Sequence, residues 1–297
     1  MTGNRGVGKL SPWLLAIRPR TLTAAVAPVV LGTAMALRDQ GFRPVPALAA
    51  MAGALLLQIG VNLANDYYDF MKGVDTGERL GPVRVTQSGL IPPERVKHAI
   101  IAVMVLIAAV GSYLIVEGGW PILVAGVASL LAMLAYSGGP YPLASHGLGD
   151  LFVFLFFGLV AVCGTYYVQT HHLTPLVVWA AVPMGFLITA ILVVNNLRDI
   201  PTDQRASKRT LAVMLGETGS RVEYLGLLAG AYVVPFLLWA GSVTSAWPLL
   251  SLLSLPMAIL LLRILRSGDA PSMNRALAGT ARLAFVYSLL LSAGLLL

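Results

Sequence analysis

The stretch PLVVWAAVPMGFLITAILVVNNLRDIPTD, residues 175–203, decides the fold. Its first 22 residues, Pro175 to Asn196, carry no charge, and about 20 apolar residues suffice for a helix to cross the hydrocarbon of a bilayer. The stretch then turns polar at Asn195, Asn196, Arg198, Asp199 and Asp203. Ionisable groups are costly at membrane depth and mark functional sites there. Residues 175–203 therefore read as a membrane helix whose end enters a polar site.

Outward from that helix, the same length criterion picks out nine runs, at about 21–38, 45–64, 98–116, 119–137, 150–168, 175–196, 222–241, 246–264 and 276–297. Composition agrees with them. The 297 residues are 57% apolar and 11% charged, with a mean hydropathy of +0.81, whereas a soluble domain carries about 25% charged residues. A soluble protein is excluded. The expected architecture is all-α and integral to the membrane, with nine transmembrane helices bundled around a central cavity open to the cytoplasmic side. Residues 1–297 form one domain, and inner loops at about 70–97 and 200–221 cap the site.

Charge sets the orientation. With nine spans and the N-terminus inside, eighteen of twenty Lys and Arg residues fall on the inner side, and Arg38 and Arg43 fall outside. The positive-inside rule then places the N-terminus in the cytoplasm and the C-terminus outside an inner (plasma) membrane. The net charge of +7 is thus a cytoplasmic-face signal, and nothing in it points to nucleic acid. Trp120, Trp179, Trp239 and Trp247 fall near outer span ends, as an interfacial aromatic belt would place them. Cys163, the single cysteine, forms neither an intrachain disulfide nor a thiolate metal cage.

A second polar stripe ends span two, where Asn62, Asn65, Asp66 and Asp69 stand at i, i+3, i+4 and i+7, one face of a helix. In span six, Asn195, Asp199 and Asp203 are spaced by four. The two stripes lie at the same side of the membrane. Asp66, Asp69, Asp75, Glu78, Asp199 and Asp203 gathered in one cavity repel one another unless a cation intervenes. The donors are carboxylate and amide oxygens without nearby Cys or His, which favours a hard ion. Mg²⁺ in particular takes a few carboxylates and completes its shell with water and substrate phosphates. Interleaved with the acids are Lys72, Arg79, Arg84, Arg198, Arg205, Lys208 and Arg209. Beside a metal site they read as a diphosphate clamp, which makes diphosphate a good leaving group. Tyr67, Tyr68, Tyr136 and Tyr141 offer ring faces to an allylic cation. A secondary transporter with cation-binding acids is the reading from another class, but it needs a site that opens to both faces, and the polar residues here gather on one.

These motifs carry a resemblance. Asn65-Asp66-x-x-Asp69 and Asp199-x-x-x-Asp203, at the inner ends of spans two and six, resemble the two aspartate-rich motifs of the UbiA superfamily of intramembrane prenyltransferases, and the likeness extends over essentially the whole chain. The finer pattern is similar to the 1,4-dihydroxy-2-naphthoate polyprenyltransferase subgroup. Its marks are Arg18-Pro19-Arg20-Thr21-Leu22, Leu80-Gly81-Pro82-Val83-Arg84, Tyr136-x-Gly138-Gly139-Pro140-Tyr141-Pro142, and Asn195 to Asp203 running on to Lys208-Arg209-Thr210. There are departures. The wider superfamily often has a further aspartate four residues after Asp69, where this chain has Gly73 and then Asp75. Met214 and Thr23 replace an arginine and a proline.

The resemblance implies transfer of a polyprenyl chain from its diphosphate to 1,4-dihydroxy-2-naphthoate with decarboxylation, giving demethylmenaquinone. Another acceptor, such as 4-hydroxybenzoate, homogentisate or haem, is the alternative. It assigns Mg²⁺, as two ions bridging the diphosphate, to Asn65, Asp66, Asp69, Asp199 and Asp203. Catalysis falls to those four aspartates and Asp75, the last as candidate base. Asn62, Asn65, Lys72, Arg84, Tyr136, Tyr141, Asn195, Arg198 and Lys208 become substrate contacts. Arg18 and Arg20, with Arg84, are candidates for the acceptor carboxylate. The bilayer is the remaining partner.

Overall fold

A computed structural model describes residues 11–73, 81 and 83–297, apart from the side chain of Arg20. A short helix α1 (Pro12–Ile17) leads into α2 (Pro19–Arg38), α3 (Pro44–Met71) and α4 (Pro93–Ser137). Helix α5 (Gly149–Val153) continues through a π-helical stretch, Phe154–Val160, into α6 (Ala161–Thr170). Then follow α7 (Pro175–Arg205), α8 (Leu211–Ala240), a 3₁₀ stretch at Trp247–Ser254 running into α9 (Leu255–Ser267), and α10 (Ala270–Leu296). Among the described residues there is no strand.

Eight continuous helical units among these are long and apolar enough to cross a membrane. One of them counts twice. The 45 residues of α4 would extend about 68 Å at about 1.5 Å per residue, roughly twice the hydrocarbon thickness. Its backbone breaks at Gly119, with φ 69° and ψ −157°, a conformation that glycine tolerates and other residues do not. Val103 before the break and Met133 after it both lie against Gly60 of α3, so the chain folds back on itself there. The nine crossings expected from hydropathy are all present.

The cap expected at 200–221 is shorter than the sequence suggested. Helix α7 continues through Pro201 to Arg205, and α8 begins at Leu211. Pro201 removes one backbone donor, while the hydroxyl of Thr202 donates to the Asp199 carbonyl at 2.8 Å in the same turn. Gly216, at φ 69° and ψ 179°, separates a first turn of α8 from its long span. The persistence of α7 matters for the site, because it keeps Asn195, Asp199 and Asp203 on one helical face.

Helix α7 is the centre of the bundle, with Ala181, Met184, Leu187, Val193 and Val194 fully buried among α8, α10 and the π-helical stretch. Two devices hold that packing in a solvent that provides no hydrophobic drive between helices. One is the hydrogen bond across helices: the Ser288 hydroxyl donates to the Ala27 carbonyl and the Tyr287 hydroxyl to that of Ala231, both at 2.6 Å. The other is glycine. Gly158 in the π-helical stretch meets Gly185 of α7 so closely that a Cβ on Gly158 would overlap the Gly185 Cα. We expect Gly158→Ala to cost about 1–3 kcal/mol through overpacking. Gly226→Ala on α8, where a Cβ meets nothing within 4 Å, should leave stability unchanged or slightly raised. Thermal unfolding of both variants in detergent checks the pair.

Candidate active site

The polar ends of α3 and α7 meet through their charges. Asp69 on α3 accepts from Arg84 Nη2 at 2.7 Å and from Lys208 Nζ at 3.0 Å on the same Oδ2. Lys208 follows α7, so this pair joins the two polar stripes. The Arg84 guanidinium also donates to Asn65 Oδ1 at 3.2 Å. On α7, Arg198 grips the carboxylate of its neighbour Asp199 with Nε and Nη2, at 2.8 and 2.7 Å. Nη2 also donates to Asn195 Oδ1 at 2.8 Å, and Nη1 to Asn274 Oδ1 of α10 at 2.9 Å. Asp69, Arg84 and Arg198 are each 3% exposed and Asp199 6%. Charges so buried persist only when paired.

Asn65, Asp69, Arg84, Asn195, Asp199 and Lys208 wall a polar pocket of about 70 Å³, completed by Arg18, Tyr136, Ser137, Ser145, Asn196, Thr202, Asp203 and Thr210. It opens into an apolar cavity of about 1030 Å³, whose lining shares Arg18, Asn65, Tyr136 and Asn195 with it. Leu57, Val61, Leu114, Ile122, Phe156 and Leu192 are among the apolar walls. Along α3 the lining runs from Asn65 back to Ala50, about 22 Å of helix at about 1.5 Å per residue. A small charged head on a long apolar body is the shape of the whole site.

Several residues expected in the pocket do other work. The two oxygens of Asp66 accept the amides of Val85 and Thr86 at 3.1 and 3.0 Å, which fastens the turn carrying Arg84. Asn62 donates to the Ile17 carbonyl at 2.8 Å and to Thr21 Oγ1 at 3.1 Å, holding the α1–α2 junction. At that junction Arg18 adopts φ 55° and ψ 70° ahead of Pro19, a left-handed conformation unfavourable for arginine. Lys72 donates to the Ser137 and Gly139 carbonyls at 2.8 and 3.5 Å and so clamps the glycine-rich loop. Burial lowers its pKa below the usual lysine range, with Asp69 opposing the shift and Lys208 adding to it. Tyr141 is exposed and stacks on His146, ring centroids 3.6 Å apart, outside both cavities. Tyr67 and Tyr68 pack edge to face and against the cluster around Val85, Ile91 and Val96. Asp75, Glu78 and Arg79 lie outside the described residues, as does the side chain of Arg20.

Sequence reasoning missed Ser137, Ser145, Thr202, Thr210 and Asn274. Asn274 carried the same signal as Asn195, an amide near an apolar span. The hydroxyls carry none, because Ser and Thr are common at helix ends, where Thr210 indeed caps α8.

Among the described residues no three carboxylates, imidazoles or thiolates converge on one point. That does not disqualify magnesium, which is ordinarily held by one or two carboxylates plus substrate phosphates. Asp69, Asp199 and Asp203, with the amides of Asn65 and Asn195, offer only oxygen donors around the pocket, and such a set fits a hard ion.

Comparison with known proteins places this arrangement. Residues 25–289 match the UbiA prenyltransferase family. The chain belongs to that family. It is 38% identical over 298 residues to the 1,4-dihydroxy-2-naphthoate octaprenyltransferase of Escherichia coli, covering 98% of this chain and 97% of that one. The protein of the same name from Mycobacterium tuberculosis is 42% identical over 263 residues, with 88% of each chain covered. Among solved structures, a UbiA homolog from Archaeoglobus fulgidus bound to GPP and Mg²⁺ superposes with a TM-score of 0.68 at 16% identity, over 95% of this chain and 100% of that one. The apo structure of a UbiA homolog from Aeropyrum pernix does so with 0.68 at 17%, over 92% and 96%. The UbiA fold is therefore shared across the whole length.

One consequence concerns Asp66. Asp66→Ala should strand two amides in the Arg84 turn at about 1–3 kcal/mol for each buried unsatisfied donor. Hydrogen exchange should then accelerate at Val85 and Thr86 ahead of the helices, whereas unchanged protection there would remove the anchoring role.

Proposed function

We propose that this UbiA-family protein transfers a polyprenyl chain from polyprenyl diphosphate to 1,4-dihydroxy-2-naphthoate with loss of carbon dioxide, a step of menaquinone biosynthesis. The observation that carries the reading is the joining of one charged pocket to one long apolar cavity. A prenyl diphosphate has that same division, and the names of the relatives supply the acceptor.

The tail of the substrate occupies the cavity, with its apolar walls replacing lipid. Its diphosphate occupies the polar pocket, where Arg84, Arg198 and Lys208 turn from carboxylate to phosphoryl oxygens. Asp69, Asp199 and Asp203, with Asn65 and Asn195, hold Mg²⁺, as two ions, and Asp66 supports them through the Arg84 turn. When bound, magnesium supplies positive charge to the departing diphosphate. The arginines and lysine add to that stabilisation from fixed positions. The carbon–oxygen bond breaks and its electron pair leaves with the diphosphate. The allylic carbon then bonds the ring, and the electron pair of the ring–carboxylate bond restores aromaticity as carbon dioxide departs. Charge and atoms balance without loss of a ring proton. Arg18, which lines both cavities, holds the acceptor carboxylate, alongside Arg20 and Arg84. Tyr136 presents its ring between the two chambers. Asp75 takes a phenolic proton as the ring attacks and returns it to the same oxygen once carbon dioxide has left. The protein lies in the cell membrane with its N-terminus and its site on the cytoplasmic side.

The test is mass spectrometry of products from purified protein in liposomes, given the naphthoate, Mg²⁺ and a mixture of prenyl diphosphates. A prenylated, decarboxylated naphthalenediol is expected. Asp69→Ala and Asp199→Ala should each reduce turnover about 100-fold or more, the scale of losing a transition-state charge contact. EDTA should abolish turnover and added Mg²⁺ restore it. Full turnover in EDTA, or product only from another aromatic acceptor, overturns the reading.

A further inference from the structure

Asn274 is half-buried near the start of α10 and lines the apolar cavity together with Leu277 and Ala278, which stand at i+3 and i+4 on the same helical face. It is the polar member of that face, and the mechanism above gives it no task. Its Oδ1 accepts from Arg198 Nη1 of α7 at 2.9 Å, so the last helix of the bundle reaches the central one at the polar end of the cavity.

The donors of Arg198 make this contact informative. A guanidinium carries five N–H groups. Four of them are taken: Nε–H by Asp199, the two on Nη2 by Asp199 and Asn195, and one on Nη1 by Asn274. Among the described residues the second Nη1 hydrogen has no partner. Arg198 is 3% exposed and lines the apolar cavity, so this donor is shielded from bulk water. Leaving a buried donor without an acceptor is costly, and a ligand that brings an acceptor recovers that cost. Asn274 decides where the hydrogen points. Its oxygen holds Nη1 from one side, and the planar geometry of the guanidinium turns the remaining hydrogen to the other.

The substrates differ in what they can offer it. The Nε–Nη2 edge faces Asp199, a wall of the polar pocket, and is the edge open to phosphoryl oxygens. Nη1 is bound instead to Asn274, which lines the cavity and not the pocket. A prenyl tail in that cavity has no acceptor atom, whereas the aromatic substrate has several. Because the charge of the guanidinium is answered at its other edge, Nη1 offers a single hydrogen rather than a free cation. That suits a hydroxyl oxygen better than a second carboxylate.

We propose that Arg198 and Asn274 form the subsite for a ring hydroxyl of the aromatic acceptor. Arg198 Nη1 donates to the oxygen on the carbon next to the one that bears the carboxylate, and Asn274 is the positioning residue that aims it. The flat ring lies against Leu277 and Ile191, apolar lining residues of the same two helices. The carboxylate goes to Arg18, which lines the same cavity. Held by its carboxylate alone, the ring could turn over about that bond. A second contact on the neighbouring carbon fixes which edge faces the diphosphate. The inference rests on the prenyl-transfer reading and adds to it the recognition of the acceptor.

The experiment uses the full-length protein in phosphatidylcholine liposomes with Mg²⁺. Binding of 1-hydroxy-2-naphthoate and of 2-naphthoate is measured by equilibrium dialysis against protein-free liposomes, without prenyl diphosphate, so that neither turns over. Wild type should prefer the hydroxylated analogue about tenfold, the size of one hydrogen bond from a charged donor. Asn274→Leu, close in volume, should abolish that preference, and Asn274→Asp, which returns an oxygen to Nη1, should restore most of it. In turnover, Asn274→Leu should raise KM for the dihydroxynaphthoate about tenfold, through the same bond, and leave KM for geranylgeranyl diphosphate unmoved. No preference in the wild type, or a preference unchanged in Asn274→Leu, overturns the subsite. So does an equal rise in both Michaelis constants, the mark of a merely structural tie between α7 and α10. If Asn274→Leu binds neither analogue, a restored preference in Asn274→Asp upholds the proposal and its absence there overturns it. Wild-type protein that shows the preference but forms no prenylated product refutes the transfer reading and leaves the subsite standing.

Discussion

Opposite charges at the edge of the bilayer cannot be left alone, and the rest of the structure depends on that constraint. Asp69 is shared between Arg84 and Lys208, which come from different parts of the chain. Arg198 is shared among Asp199, Asn195 and Asn274, which brings α10 to α7. Each bond satisfies a group that water no longer reaches, and those to Lys208 and Asn274 tie together parts of the chain far apart in sequence. The turn at 83–88 makes the point. It is held by Asp66 from below, and the Ser88 hydroxyl donates to the Arg84 carbonyl at 2.7 Å. Its product is the placement of one guanidinium.

The same constraint explains why the pocket suits a leaving diphosphate. A pocket of carboxylates alone would exclude an anion, and one of arginines alone would hold its product. Here the acids and bases already neutralise each other in pairs, so under the proposed reading an incoming anion and its accompanying cation would exchange partners within a site that stays near neutral. Breaking one member of such a buried pair is costly because the other is left uncompensated. The exchange therefore requires both to arrive together.

The fold was legible because lipid imposes a length. Every helix that crosses showed itself as an apolar run, and even the fold-back at Gly119 was implied by the gap between runs at about 116 and 119. Helix ends were less legible. Residues 200–205 read as loop because Pro201 and four polar neighbours break the hydropathy, yet a proline costs one hydrogen bond and α7 carries on past it. The polar stripes were legible as a group through their spacing. What the spacing did not reveal is which members face the pocket. Asn65 and Asp69 line it, whereas Asp66 turns to backbone amides and Asn62 to the α1–α2 junction. Both kinds of role draw on the same residue types, because carboxylates and amides serve equally to hold a ligand and to satisfy a stranded amide or carbonyl. Asn274 escaped for the opposite reason, since a lone amide forms no pattern.

The face opposite the pocket bears on what the bundle does. There the connections are tied to each other. Tyr166, fully buried, donates to Asp39 at 2.6 Å and meets His172 at 3.1 Å, which joins α6 to the end of α2. Arg43 pairs with Glu117 at 2.6 Å, contacts His171 at 3.1 Å, and receives Gln169 Oε1 on its backbone amide at 3.3 Å. The start of α3 is thus bound to the fold-back of α4 and to the α6–α7 connection. Alternating access would require these ties to open in each cycle while the inner pairs closed. A transferase needs the reverse asymmetry: a far end that stays shut behind an apolar tail, and a near end whose pairs exchange. The ion pairs and hydrogen bonds of this chain are distributed in keeping with that second task, one group around the pocket and the other joining the connections of the opposite face.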